Sequence, residues 1–166
     1  LGRSVTDAMR RRRPNAEFLS RYVREATAVK PPSGFVRDLV VDHRGRHRGQ
    51  LDLKRGGLRP VAGLGRWVAV VTGDARGGTL DRLHRGREAG LLTPDEADTL
   101  VAAFDQVYDL LLRRDLSSLT TGGTASTYVD PRELDSLTRR HLRETFRAVA
   151  GVQESVLADW ARRVGL

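Results

Sequence analysis

Hydrophobic residues recur every three or four positions along most of the chain, which is the spacing of amphipathic α-helices. Two short helical patterns come first and stop at prolines, one before Pro14 and the other at Pro31 and Pro32. Residues 58–71 are apolar on nearly every side, which predicts a helix that is buried all round. The pattern therefore predicts a mainly α protein, a bundle of about five to six helices.

Residues that typically cap helix N-termini predict where the later helices begin. Thr79 follows a Gly-Gly turn and can cap a short helix that ends near Glu88. Residues 93–96 form a capping box with proline at the first helical position, and Asp130 begins a similar pattern that predicts the start of the longest helix. The Ser-, Thr- and Gly-rich segment 117–127 between these two helices is predicted to be a loop.

The pattern of residue types changes between residues 36 and 54, and there it predicts a small β-hairpin. The segment 36–41 is short and rich in β-branched residues, and residues 42–45 are typical of a turn. In residues 49–54, apolar side chains alternate with polar ones. In the helix that follows, Gly63 and Gly65 weaken the helix propensity, so we expect them to permit close packing against a neighbouring helix.

The length and composition of the chain exclude several classes of protein. A chain of 166 residues fits one domain with a real core, and we assign residues 1–166 to a single domain. It has no cysteine, which excludes disulfides and thiolate chemistry. No apolar run reaches the ~18–20 residues of a membrane span, which argues against a membrane partner. Because the chain does not begin with methionine, we expect it to be part of a longer protein.

Positive charge is concentrated near the start of the chain. The net charge is +8, and only Lys30 and Lys54 among the 29 basic residues are lysines, a bias typical of GC-rich coding. Residues 1–60 contain 15 basic and 6 acidic side chains, whereas residues 61–166 contain 14 and 15. This location indicates an anionic partner, and nucleotide, phosphate, nucleic acid and an acidic domain all qualify.

The chain lacks the motifs of a self-contained active site. Neither lysine follows a glycine, so there is no phosphate-binding P-loop. There is no Gly-Ser dipeptide and no Asp-x-Asp pair, the kind of carboxylates that hold metal ions in nucleotidyl transfer. His43 and His47 flank a predicted turn among arginines, with Asp42 as the one carboxylate close by. We therefore predict no metal site and no catalysis by this chain alone.

The densest polar cluster consists of Asp52, Lys54, Arg55 and Arg59. Two interpretations remain open. The cluster surrounds the start of a predicted helix, where the dipole and the basic side chains would favour a phosphate. Alternatively, Asp52 forms an ion pair with Lys54 or Arg55 that ties the hairpin to the bundle.

Several segments together resemble a known family; in chain order they are residues 35–41, 51–61, 79–83, 128–131 and 140–147. The most specific is the stretch Leu-Asp-Leu-Lys-Arg-Gly-Gly-Leu at residues 51–58. Over nearly the whole chain the sequence is similar to the putative nucleotidyltransferase substrate-binding domain. This is the C-terminal helical domain of bacterial signalling proteins that also carry cyclic-nucleotide-binding, cystathionine-β-synthase-type and nucleotidyltransferase domains. It is related to a helical region of protein-PII uridylyltransferases.

The resemblance implies a cytoplasmic, non-catalytic domain that closes over the active site of a preceding nucleotidyltransferase domain. Its partners would be that domain and a nucleotide or acceptor protein. The domain itself would bind no cofactor, while Mg²⁺ and a nucleoside triphosphate are expected in the full-length protein. Asp52, Lys54 and Arg55 match the family motif, as does Arg82 in the stretch Thr-Leu-Asp-Arg-Leu.

A second hypothesis comes from a different class: an Arg-rich helical module that binds protein or nucleic acid. Its nucleic-acid form predicts strongly salt-dependent binding. An aromatic content of 5% and the lack of a recognition motif count against nucleic acid. A third interpretation is that the long helices mediate formation of a homodimer.

Overall fold

The computed structural model describes residues 15–32 and 46–165, and five α-helices contain most of these residues. The helices are α1 (Ala16–Ala26), α2 (Arg59–Thr72), α3 (Thr79–Glu88), α4 (Pro94–Thr120) and α5 (Ser136–Val164). The prediction of a mainly α bundle is therefore confirmed. The helical pattern before Pro14 lies outside the described residues. Within those residues, no helix combines the length and the apolar character needed to cross a membrane.

The start of α4 follows the predicted capping box. The Thr93 hydroxyl accepts a hydrogen bond from the Glu96 N–H at 3.2 Å, and the Glu96 carboxylate accepts one from the Thr93 N–H at 2.8 Å. Pro94 occupies the first helical position, where its missing N–H costs nothing. The local sequence alone therefore determines where this helix begins.

The longest helix, α5, begins later than the sequence predicted. Asp130 caps only a single 3₁₀ turn, Pro131–Glu133, by accepting a hydrogen bond from the Arg132 N–H at 2.9 Å. Leu134 is then extended and buried, which interrupts the helical path. Asp135 provides the actual cap, since its Oδ1 accepts from the Thr138 N–H at 2.9 Å. Burial of one leucine thus moves the start of the helix.

Helix α4 ends later than predicted, because its last turn occupies part of the expected loop at 117–127. The hydroxyls of Thr120 and Thr121 donate to the Ser117 carbonyl at 2.8 and 3.1 Å. These side chains satisfy carbonyl groups of the last turn, so the Ser/Thr-rich sequence continues the helix for one turn instead of ending it.

Two hydrophobic clusters hold the bundle together. The larger involves α1, α2, α3, the first half of α4 and the second half of α5, and in it the rings of Trp67 and Trp160 meet edge to face at 5.6 Å. The smaller lies against the sheet, between α4 and the first half of α5. Its buried members are Leu51, Leu53, Val107, Leu111, Val129, Leu134, Leu142 and Phe146.

The sheet has two short strands, β1 (Leu51–Asp52) and β2 (Tyr128–Val129), which pair antiparallel with Leu51 opposite Val129. The predicted hairpin gave this strand a neighbour at residues 36–41, which lie outside the described residues. The partner that the structure shows comes from much later in the chain. A two-residue strand has no periodicity to detect, so the sequence did not reveal it. The pairing attaches the segment before α2 to the smaller core.

Candidate functional site

A wide helical turn, Lys54–Leu58, leads directly into α2. The Arg59 N–H donates to the carbonyl of Lys54, five residues earlier, which is the π-helical pattern. Two glycines allow this turn to pack closely. A Cβ on Gly56 would lie 2.5 Å from Pro32 Cδ, and one on Gly57 would lie 2.7 Å from Val107 Cγ1. The Gly-Gly pair therefore serves packing, and it leaves the neighbouring basic side chains on the surface.

Asp52 caps this turn. Its Oδ1 accepts a hydrogen bond from the Arg55 backbone N–H at 2.9 Å, and within the described ranges it forms no ion pair. The expected ion pair with Lys54 or Arg55 is thus replaced by a bond to the backbone. Lys54 belongs to the helical turn and does not share a strand face with Asp52, because β1 ends at Asp52.

The predicted helix start beside Arg59 is not a free N-terminus. The π turn continues into α2 without a break, and the Arg59 N–H is already bonded to Lys54. The unsatisfied N–H groups that attract anions belong to the first turn of a helical segment. Any attraction for an anion near Arg59 must therefore come from side-chain charge.

Helices α1 and α2 border a cleft of about 120 Å³, which we call the basic groove. Its lining residues are Tyr22, Glu25, Ala26, Val29, Arg59, Gly63 and Arg66. The two helices touch here because of Gly63, on which a Cβ would lie only 2.4 Å from the Ala26 carbonyl oxygen. The predicted close packing at Gly63 is confirmed.

Two arginines supply the positive charge of the basic groove, and of these the sequence pattern predicted only Arg59. Arg66 is two helical turns away, about 10 Å along the axis, on the same side of α2. Both are exposed, and neither has an ion-pair partner among the described residues. Glu25 is the one carboxylate in the lining. Arg66 was overlooked because it lies in a mostly apolar run, although its seven-residue spacing from Arg59 would have revealed it.

The other predicted site residues do not line this groove. Lys54 and Arg55 are exposed on the preceding turn, and Asp52 is occupied with capping it. Arg82 lies in α3, where its Nη2 donates to the Ala75 carbonyl at 2.8 Å, in the loop after α2. The structure thus brings together Arg59 and Arg66, which start and continue α2, and separates them from Arg82.

Arg82 belongs to a second arginine cluster, the loop clamp, formed by Asp74, Arg76, Arg82 and Arg85 around the loop at 73–78. Arg76 binds the Asp74 carboxylate through Nη2 at 2.6 Å and Nε at 2.9 Å. Arg85 donates to the Asp74 carbonyl at 2.6 Å and to the Arg76 carbonyl. Hydrogen bonds from the Arg76 side chain and backbone hold the pKa of Asp74 well below its usual range. The arginines of the clamp donate to groups of this loop, so we interpret the clamp as a structural element that holds the loop in place.

Metal ligands are scarce in the part of the chain that the structure describes, where no group of three or more His, Asp or Glu side chains could hold an ion. His43 lies outside that part. His47 stacks on Tyr128 with ring centroids 3.6 Å apart. Its Nδ1 lies 2.9 Å from the Gln50 amide oxygen, and its Nε2 accepts from Arg46 Nε at 3.1 Å. Both ring nitrogens are therefore engaged in side-chain contacts.

A family model matches residues 16–159, and its description is "putative nucleotidyltransferase substrate binding domain". The chain belongs to this family. The match contains the π turn, the basic groove and the loop clamp, so all three lie within the residues that the family model covers. No curated protein and no solved structure matches the chain. The role of each residue in this substrate-binding domain must therefore be argued from its own contacts.

Proposed function

We propose that this substrate-binding domain holds the phosphates of a nucleoside triphosphate in the basic groove. The observation that carries the proposal is the pair Arg59 and Arg66, two exposed guanidinium groups on one side of α2. A guanidinium presents a planar set of donors that matches phosphate oxygens and stays charged at any physiological pH. Two such groups along one helix suit a polyphosphate chain better than a single anion.

The remaining walls of the groove fit the rest of a nucleotide. Tyr22 is half-buried and offers an aromatic surface with a hydroxyl, and Val29 adds apolar area. Glu25 would repel phosphate, so we assign the phosphates to the α2 side of the groove. The carboxylate can instead accept a hydrogen bond from a sugar hydroxyl or a base amine.

Catalysis in this proposal belongs to a nucleotidyltransferase domain that precedes this one in the same protein. The domain would close over that active site and act in the cytoplasm as part of a signalling enzyme. Mg²⁺ does not fit the described side chains, which offer no carboxylate cluster. We assign the metal to the catalytic domain.

Calorimetric titration of the chain with ATP, GTP, CTP and UTP tests the proposal. Loss of one charged hydrogen-bond donor costs about 1.5–3 kcal/mol, so Arg59→Ala or Arg66→Ala should weaken binding by about tenfold or more. Arg147→Ala is the matched control, an exposed arginine of α5 without an ion pair in the described ranges. Equal losses in all three variants, or no binding of any nucleotide, would contradict the proposal.

The same titration separates the nucleotide-binding hypothesis from the nucleic-acid one. Binding to a phosphate backbone through many arginines weakens steeply with salt and is insensitive to any single one. If RNA or DNA binds more tightly than nucleotide, and Arg59→Ala and Arg147→Ala weaken it equally, the Arg-rich interaction module is the better description.

A further inference from the structure

The outer face of α4 carries an apolar row that belongs to neither hydrophobic cluster of the described residues. Tyr108, Leu112, Leu116 and Leu119 are 54%, 47%, 56% and 61% exposed. Their spacing of four, four and three residues places them on one side of the helix, away from the buried Val107 and Leu111. We call this row the α4 stripe. It forms a continuous surface over about three turns.

The second half of the stripe lies on a part of α4 that contributes no residue to either hydrophobic cluster in the described part of the chain. Leu111 is the last buried residue of this helix, and the positions from Leu112 to Thr120 are exposed or only partly buried. The contacts that hold this end to other segments are polar, Arg114 with Glu133 and the Ser126 N–H with the Asp115 carboxylate. Three leucines on such an end indicate that the helix packs against something outside the bundle.

From this surface we infer that two copies of the chain associate through antiparallel packing of their α4 stripes. Placing the two-fold axis at Leu112 sets Leu112 against its own copy and Tyr108 opposite Leu116 of the second copy. In this register Leu119 lies opposite the exposed Asp105 of the second copy, and one pair of charges at the edge of the stripe is complementary. Asp109 and Arg113 form an exposed pair within one chain, with Nε and Oδ2 2.8 Å apart, and the antiparallel arrangement places each beside the opposite charge of the second copy.

The area of the stripe agrees with a dimer interface. Each of the four side chains leaves about half of its surface exposed, which amounts to about 400 Å² of apolar area per copy. A stable interface buries about 800 Å² per partner, of which somewhat more than half is apolar. The stripe and its polar edge therefore supply the area that an antiparallel helix pair requires.

Sedimentation equilibrium of the chain between about 1 and 100 μM tests this inference, and we expect a mass that approaches twice 18.4 kDa. Leu112→Lys would bring two cations together on the axis and should raise the dimer dissociation constant at least tenfold. Phe18→Lys is the matched control, since Phe18 is 49% exposed but lies on α1, which packs on α2 and α5. Circular dichroism verifies that each variant keeps its helices.

A charge exchange adds a second, independent criterion. Asp109→Arg alone places like charges across the axis and should weaken the dimer, while the double variant Asp109→Arg/Arg113→Asp should restore it. A wild-type chain that remains monomeric at every concentration would overturn the inference. So would a Leu112→Lys variant that dimerises as well as Phe18→Lys, or a double variant no tighter than Asp109→Arg. None of these outcomes depends on whether the basic groove binds a nucleotide.

Discussion

The basic groove and the loop clamp are both rich in arginine and use it in opposite ways. In the groove, Arg59 and Arg66 extend toward solvent without an ion-pair partner in the described residues. In the clamp, Arg82 and Arg85 donate to backbone carbonyls, and Arg76 holds a buried carboxylate. Each arginine adds the same charge to the sequence. Only the engagement of its donors separates a group that can bind a ligand from one that holds a loop.

This difference explains why total charge is a weak guide to function here. The positive excess lies within residues 1–60, which include Arg59, one of the two arginines that line the groove. Arg66 lies beyond it, in a segment whose charges nearly balance. A charged residue becomes informative when its neighbours along the helix face are known, and this requires the packing of α1 on α2.

The largest expected effect comes from changing the contact that forms the groove. Gly63→Ala would place a Cβ 2.4 Å from the Ala26 carbonyl, and because that atom belongs to the backbone of α1 it cannot easily move away. Overpacking of this kind should lower the free energy of unfolding by about 3 kcal/mol, measured by urea denaturation, and distort the groove.

Gly151→Ala is the control for this change. Gly151 lies within α5, and apart from its chain neighbours and the backbone of its own helix no atom of the described residues comes within 4 Å of the position that a Cβ would take there. Alanine at this position should therefore stabilise the chain by about 0.5–1 kcal/mol through helix propensity. If both alanine variants unfold at the same urea concentration, then α1 and α2 do not approach each other as closely as described.

A change in the loop clamp should affect stability and leave the groove intact. Asp74→Asn removes a buried carboxylate that accepts from Arg76 and lies 3.5 Å from Arg85 Nη1, and we expect a loss of about 2 kcal/mol at pH 7. Asp95→Asn changes an exposed carboxylate in the first turn of α4 and should cost no more than about 0.5 kcal/mol.

The pH dependence of the Asp74→Asn variant follows from the same contact. Hydrogen bonds from Arg76 lower the pKa of Asp74 in the folded state. Its contribution is therefore complete above the pKa of about 4 in the unfolded chain and is lost as the pH falls toward the folded value. Urea denaturation at pH 7, 4 and 3 should show the stability gap between wild type and Asp74→Asn shrinking below about pH 4. A constant gap would mean that the carboxylate charge is not what the clamp uses.

Much of the fold was predictable because its signals are local. Capping at Thr93 and the apolar run of α2 depend on residues within one or two turns of each other, and both predictions were confirmed. The predicted start of α5 was wrong because burial of Leu134, which is a tertiary effect, overrides the cap at Asp130. The partner of β1 was missed for a similar reason, since two-residue strands have no pattern and their pairing is long-range.

The candidate site was less predictable than the fold. Sequence proximity grouped Asp52 with Lys54 and Arg55, and the structure gives Asp52 a bond to the backbone instead. The groove combines residues of α1 with Arg59 and Arg66 of α2, a combination that follows from the helix crossing at Gly63. Residue spacing alone could therefore have paired Arg66 with Arg59, but it could not have shown that α1 forms the other wall of the groove.

The smallest expected effect separates the two arginine clusters most directly. Arg82→Met keeps most of the half-buried side-chain stem and removes the guanidinium that donates to the Ala75 carbonyl, so we expect a loss of about 1 kcal/mol in stability. Nucleotide affinity should remain within twofold of wild type, because Arg82 does not line the groove. Arg147→Met is the control and should change neither quantity. If Arg82→Met instead lowers nucleotide affinity tenfold at unchanged stability, Arg82 contacts the substrate as the family motif implied, and the division between a binding groove and a structural clamp fails.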